Sequence, residues 1–215
     1  MNKVYIYVVD RDFGFAPNPF HGVCTLATCK PGIRNKAKVG DWVIGMGGSR
    51  LNATGRCVFA MRVTEKITFN EYWSSPVFRD KKPIRNGSFR MMVGDNIYFL
   101  HPDSNEWQQA DSHHSNTDGS PNEKNLSTDT KSKMVLISRH FYYFGNSAPD
   151  IPAEIIAEIG FKNGIGHRVY DSEKCVRLTT WLESTFGFEV NNVQGDPFDF
   201  QISDKRYSGE GSKII

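Results

Sequence analysis

Apolar positions in the first hundred residues fall into short runs with the period of strands. Val4 to Val9 is β-branched and aromatic throughout and predicts a first strand. Gly40-Asp41 introduces Trp42-Val43-Ile44-Gly45-Met46, a buried strand opening into Gly47-Gly48-Ser49. From Val58 to Val63, Val58, Ala60 and Arg62 alternate with Phe59, Met61 and Val63. Thr68 or Asn70 is placed to cap a short helix running through Trp73. Asn96-Ile97-Tyr98-Phe99 predicts another strand behind Gly94-Asp95. Residues 101–133 then change character, with Ser, Asn, Asp, Thr and His and hardly any aliphatic side chains. Loops of that length are functional or disordered. Strand character returns at Met134–Ser138 and again at Phe141–Gly145, where Phe141 and Tyr143 share one face and Tyr142 and Phe144 the other.

After residue 150 the period lengthens. Ile151–Ile159 predicts a helix with Pro152 in its first turn and Ile155, Ile156 and Ile159 on its apolar side. Residues 172–186 predict a second, with Val176, Leu178, Trp181, Leu182 and Phe186 on one face and Gly187 as its stop. The tail from Gln194 is polar and expected to fray. The sum is an α+β fold: a twisted, mostly antiparallel sheet, barrel-like in its most closed version, with a few short helices. One domain is expected over 1–193, carrying 101–133 as a polar insertion, with 194–215 as a tail. There is no repeat, no βαβ alternation and no phosphate loop, and Gly45-Met46-Gly47-Gly48 lacks the spacing of a dinucleotide fingerprint.

Composition narrows this only a little. The chain has 215 residues, 39% hydrophobic and 13% aromatic, enough for a real core in one domain. A net charge of +2 is too small to diagnose nucleic-acid binding by itself. No run approaches the ~20 apolar residues of a membrane span, so no membrane partner is expected. The opening residues read as a strand and not as a secretory signal. Four cysteines without a paired C-x-x-C frame then predict reduced thiols in a cytoplasm.

Several longer stretches are distinctive. "GFAPNPFHGVCTLATCKPGIR", "VGDWVIGMGG", "FAMRVTE", "EYW", "DSHHS" and "VLISRHFYYFG" resemble the type-two nucleotide-modification-associated domain, over about residues 4–170. That family is found in bacteria and their phages, beside DNA-base-modifying enzymes. The resemblance implies a nucleotide or nucleic acid as partner, and possible partner proteins of a modification or defence operon. It implies a nucleotide context and not a mechanism, and it leaves the cofactor unknown. The V-G-D-W-V strand entry is also similar to the small PUA, ASCH and EVE barrels, which hold RNA or modified bases.

Candidate chemistry concentrates in two places. In the arm 13–34, Pro17 and Pro19 flank Asn18 and stiffen the chain. Phe13, Phe15 and Phe20 either form a wall on which a base stacks or plug one end of the sheet. Lys30 and Arg34, turned about Pro31-Gly32, suit a phosphate or are ordinary surface cations. His21, Cys24 and Cys29 form H-x2-C-x4-C, a weak metal frame that Cys57 or His167 would complete. The same residues also read as buried thiols, or as Cys24 or Cys29 acting as nucleophile beside His21. In the second place, Asp111-Ser112-His113-His114-Ser115, either histidine is a candidate general base with Asp111 as its orienting group. A metal held with Asp118 or Asp129, or a solvated loop, is the alternative.

Asp10, Arg11 and Asp12 end the first strand, where Asp12 either accepts from a base edge or merely punctuates the chain. Tyr143 is expected to reach a ligand with its hydroxyl. Lys81, Lys82 and Arg85 flank Pro83 in a basic turn that is solvated or, as the alternative, meets phosphates, and Gly164–Arg168 is a permissive turn that closes on an anion or joins two elements. The expected pocket lies where the 13–34 arm, the Gly45–Ser49 turn with Gly47 and Ser49, and the 111–115 loop meet. The leading expectation is recognition of a nucleotide or modified base, with Asp12, Phe15, Asn18, Lys30, Arg34, Gly47, Ser49 and Tyr143 as ligand contacts. The alternatives are a nucleotide-processing enzyme using His113 or His114, and a protein-interaction module.

Overall fold

The computed structural model describes residues 1–215, the side chain of Ser212 excepted. The chain opens with β1 (Lys3–Val9), β2 (Cys24–Leu26), α1 (Pro31–Lys36), β3 (Trp42–Gly47), β4 (Cys57–Arg62) and β5 (Glu65–Thr68). It continues with α2 (Phe69–Ser74), α3 (Phe89–Met92), β6 (Tyr98–Leu100), β7 (Trp107–Gln109), α4 (Glu123–Asp129), β8 (Met134–Ser138) and β9 (Phe141–Tyr143). It closes with α5 (Ala153–Ile159), β10 (His167–Asp171), α6 (Val176–Phe186), β11 (Tyr207–Ser208) and β12 (Lys213–Ile214).

Five strands form one sheet in the order β10-β1-β3-β4-β9, in which only β1 and β3 run parallel. Strands β2, β8 and β5 make a second, antiparallel sheet, and β6–β7 and β11–β12 are separate ribbons. The fold is therefore α+β with twisted mixed and antiparallel sheets and short helices. The larger sheet is open, with β10 at one end and β9 at the other, so no closed barrel forms among the described residues. Nor is any helix among them long and apolar enough to cross a membrane.

Two cores explain why these segments fold where they do. The first covers both faces of the five-stranded sheet, which is why β1 and β3 are apolar without alternation. Ile155 and Ile159 of α5 and Leu178 and Leu182 of α6 close one side of it. The second gathers Phe13, Phe15 and Phe20 of the arm with Phe69, Tyr72, Tyr98 and Phe200. Local chemistry sets the helix ends. Thr68 N–H donates to Glu71 Oε2 at 2.7 Å and Glu71 N–H donates back to Thr68 Oγ1 at 3.2 Å, a capping box that starts α2. Gly160, at φ 70°, ends α5 in the left-handed conformation.

Three segments differ from the expectation. The polar tract 101–133 contains β7 and α4, and it buries Asn122, Asn125 and Asp129. It folds because its polar groups are paired: Asn122 caps α4 through Asn125 N–H at 3.0 Å, and Asn125 Nδ2 donates to the carbonyls of His114 and Tyr207. The tail after Gln194 is packed. Phe200 stacks on Phe20 with ring centroids 5.6 Å apart, Asp199 N–H donates to Asp12 O at 2.7 Å, and Tyr207 N–H to His113 O at 2.7 Å. Finally, the turn at Gly166 (φ 85°) leads directly into β10, so His167 lies opposite Tyr7 in a strand pair.

Candidate nucleophile site

A cavity of about 310 Å³ opens at the C-terminal end of β1. Tyr7, Val8, Val9, Asp10 and Arg11 form one wall as the strand leaves the sheet, and Phe13, Phe15 and Ala16 form the next. Cys29 and Lys30, His113 and His114, and Tyr207 from the tail complete it. Its size suits a small ligand such as a single base, near the ~300 Å³ lower end of small-molecule pockets.

Three side chains stand in line at its edge. Cys29 is half-buried, with Sγ 3.9 Å from His114 Nε2. The other ring nitrogen, His114 Nδ1, is 3.0 Å from Asp129 Oδ2. Both His114 and Asp129 are buried. The carboxylate also accepts from Cys29 N–H at 2.7 Å and from Tyr98 O–H at 2.9 Å. Burial alone disfavours the His114 imidazolium, but the Cys29 sulfur and the Asp129 carboxylate outweigh it and raise the pKa to about 10. Burial likewise pushes the Asp129 carboxyl up, and His114, Arg34 and Tyr98 together bring it below its ordinary value. A thiol, an imidazole and an orienting carboxylate in that order are the parts of a nucleophilic relay.

The backbone at the thiol is unusual. Cys29 (φ 56°) and Lys30 (φ 40°) are consecutive non-glycine residues in the left-handed region, just before Pro31 begins α1. Arg34 on that helix holds the turn. Its guanidinium is fully buried and donates to four backbone carbonyls: Cys29 at 2.8 Å, Asp129 at 2.5 Å, Ser132 at 3.1 Å and Met134 at 2.7 Å. A phosphate role for Arg34 does not fit, because its donors are spent inside the protein. It ties the turn at Cys29 to the helix that carries Asp129.

His113 sits beside the relay in a different state. Its ring packs against Phe13 and Phe15, at centroid distances of 4.4 and 5.2 Å. Burial, followed by the positive charge on His114, lowers its pKa to about 3. Lys30 reaches over the Tyr7 ring, with Nζ 4.4 Å from the centroid.

The remaining sequence candidates lie outside the cavity. Asp111 is paired with Arg206 and Ser115, so the orienting carboxylate of His114 is Asp129 and not Asp111. Asp12 is buried and saturated by Tyr143 O–H at 2.5 Å and by the N–H groups of Gly14 and Phe198. That contact also uses the Tyr143 hydroxyl. Asn18 is fully buried, with its amide on Gly14 O and Val93 O and its oxygen on Lys81 Nζ at 2.7 Å. Lys81 is thus an interior cation bracing the arm, and Lys82 lies over the Trp73 ring at 3.6 Å. Gly47 is a packing glycine, since a Cβ there would lie 2.2 Å from Ala53 O. Ser49 is exposed in a short turn. The Gly45–Ser49 turn therefore contributes nothing to the lining, whereas the 13–34 arm and the 111–115 loop do meet there.

The H-x2-C-x4-C frame does not assemble. His21 is exposed, and Cys24 is buried with Sγ 4.0 Å from Met61 Sδ, its thiol pushed by burial to about 12. Cys29, His114 and Asp129 do offer ligand atoms within 4.8 Å of one another. However, His114 meets Cys29 with one nitrogen and Asp129 with the other, the geometry of a proton relay; a metal would need a single nitrogen turned toward both partners. Asp129 and Tyr207 are the contributors that sequence reasoning missed. Asp129 entered only as a metal alternative, and Tyr207 lay in the tail.

No curated protein and no solved structure matches the chain. The model of one family matches residues 1–204 of the 215, and the protein belongs to that family, nucleotide modification associated domain 2.

Proposed function

We propose that the protein is a thiol-dependent enzyme acting on a nucleotide or base held in the cavity. The observation that carries this reading is the Cys29–His114–Asp129 line opening onto that cavity. The Cys29 sulfur adds to an electrophilic sp² carbon of the ligand while His114, an imidazolium at neutral pH because its pKa is raised, holds the proton on Nε2. His114 then gives that proton to the group expelled from that carbon, and attack of water on the same carbon, with its proton passing to His114 Nε2, breaks the carbon–sulfur bond and frees Cys29. Asp129 holds the imidazole in the orientation the transfer needs. The aromatic wall of Phe13 and Phe15 suits a flat ring, and Lys30 and Arg11 supply positive charge for a phosphate. Base recognition, the leading expectation from the sequence, becomes the binding step of this reaction.

Iodoacetamide alkylation followed by mass spectrometry tests the relay. The other three cysteines are internal controls, because burial raises the thiol pKa of Cys24, Cys57 and Cys175. At pH 7 Cys29 should react alone, and His114→Ala should slow it by about tenfold or more, the scale of general-base assistance. Alkylation of Cys29 no faster than that of Cys175, or a rate indifferent to His114→Ala, would remove the reading. Metal analysis of the same sample separates the relay from a metal site.

A further inference from the structure

The two adjacent histidines present opposite faces of the same chemistry to the cavity. Their rings are 6.0 Å apart and inclined by only 28°. His114 is engaged at both nitrogens, by Cys29 and by Asp129. His113 is engaged at one. Its Nδ1 lies 2.8 Å from the carbonyl of Lys205, and a carbonyl oxygen only accepts, so Nδ1 carries the proton. That fixes the tautomer and leaves Nε2 as a bare lone pair. Among the described residues Nε2 has no protein partner and is not one of the buried polar atoms sealed without one, and His113 lines the cavity.

The surroundings define what that lone pair can meet. The ring packs against both Phe13 and Phe15, which line the cavity with it. The charged groups lie at the mouth, on exposed Asp10 and on half-buried Arg11 and Lys30. A lone pair among aromatic rings, beside a nucleophile, matches a flat heterocycle that carries an N–H on the edge next to its electrophilic carbon. We infer that His113 is a specificity-determining residue, which accepts a hydrogen bond from a ring or exocyclic N–H of a planar heterocycle as Cys29 reaches the neighbouring carbon. This names the substrate class of the cavity and rests on the reading of that cavity as a substrate site. His113 is thereby a reader of the ligand and not a second base; a group neutral down to about pH 3 has little basicity to offer at pH 7.

A site built to accept an N–H discriminates against the analogue that lacks one, because the acceptor is left unpaired. The test uses the full-length protein and matched nucleoside pairs: uridine with N3-methyluridine, and adenosine with N6,N6-dimethyladenosine. Each probe is titrated as a protectant of Cys29 against iodoacetamide, and in parallel against the side-chain ¹⁵N resonances of the histidines. At least one N–H probe should protect, with its methylated partner weaker by about tenfold or more. His113→Phe keeps a flat ring against the phenylalanines and should bring that ratio to within about twofold. His113→Gln keeps an acceptor and should restore part of it. In the unsubstituted protein at pH 7 the ¹⁵N spectrum should report a neutral His113 protonated at Nδ1, with Nε2 shifting as the N–H probe binds.

Equal protection by both members of every pair, no protection by any probe, discrimination that survives His113→Phe, or an Nε2-protonated or cationic His113 would each overturn the inference. The alkylation rate without probe reports the relay separately. A reactive Cys29 with no discrimination sinks only the role of His113. An unreactive Cys29 sinks the relay, and the ¹⁵N titration still decides whether His113 reads an N–H.

Discussion

Asp129→Asn changes almost no volume and removes one charge, so its consequences isolate the carboxylate. Asp129 accepts from Cys29 N–H, His114 Nδ1 and Tyr98 O–H, all within 3.0 Å. An amide accepts at one atom only. If its oxygen stays on Cys29 N–H, its NH₂ confronts the other two donors, and His114 relieves the conflict by moving its proton to Nε2. The imidazole then sits neutral beside the sulfur with its one hydrogen on Nε2, and the cation that the carboxylate stabilised is lost. Two routes give the size of the stability loss. Hydrogen bonds to a charged group contribute about 1.5–3 kcal/mol each, and breaking a buried charge pair costs about 3–5 kcal/mol. Independently, the rise of His114 from 6.5 to about 10 corresponds to about 5 kcal/mol at ~1.4 kcal/mol per unit, shared between Cys29 and Asp129. Both converge on a loss of about 3 kcal/mol. The sign of the pH dependence follows. Because the folded-state pKa of His114 is raised, its stabilisation is complete below the unfolded value near 6.5 and is lost as pH rises through about 10. The Asp129 contribution, from a depressed pKa, is present above the ordinary carboxylate value and is lost only as pH falls through the lower folded one. Urea unfolding at pH 5.5, 7.5 and 9.5 should therefore show the widest gap between wild type and Asp129→Asn at the acidic end, narrowing steadily toward pH 9.5. A gap below about 1 kcal/mol at pH 5.5, or one constant across the series, would refute the assignment of the carboxylate to His114.

Arg34→Met should cost about 3–5 kcal/mol, as for any buried charge whose partners are left stranded; four carbonyls lose their donor. The same variant should slow Cys29 alkylation, and Arg34→Lys should recover little, since an ammonium cannot span the four oxygens; a midpoint in urea within error of wild type would contradict this. Truncation after Asp204 removes the Tyr207 wall of the cavity and the Lys205 carbonyl that holds His113. It should raise the rate at which a bulky maleimide labels Cys29 relative to iodoacetamide, and an unchanged ratio would mean that the tail does not limit access.

Much of the scaffold was legible because it is periodic. β1, β3, β4 and β8 announce themselves by apolar runs, and α2, α5 and α6 by caps and a helical face. The positions of the site were legible only in part. "DSHHS" drew attention to the two histidines that line the cavity, but the nearest carboxylate in sequence, Asp111, is taken by Arg206. The carboxylate that meets His114 lies at the end of α4, in a tract with too few aliphatics to signal a helix. Arg34 looked like a surface cation because arginine is seldom fully buried, and its partners are backbone carbonyls, which leave no trace in a sequence. The tail looked frayed for a similar reason. Its packing rests on single contacts such as Phe200 on Phe20, and on main-chain bonds to the arm and the histidine segment.

The polar tract is best understood as the part that makes the thiol's conformation affordable. Two adjacent left-handed non-glycine residues, Cys29 and Lys30, cost of order 1–3 kcal/mol each. The chain would relax from that turn unless something outside it held both flanking peptides. Asp129 grips the Cys29 N–H at 2.7 Å, and Arg34 Nε grips the Cys29 carbonyl at 2.8 Å. Each is a hydrogen bond to an ionised group, about 1.5–3 kcal/mol, which together offset the strain. Arg34 in turn holds the carbonyl of Asp129, so the grip closes on itself. The residue that orients the imidazole is therefore also the residue that fixes the sulfur's backbone. His114 and Asp129 both come from the tract between residues 101 and 133, which delivers two of the three relay side chains. A segment with so little apolar surface is kept in place by the charge and hydrogen bonding of the site it builds.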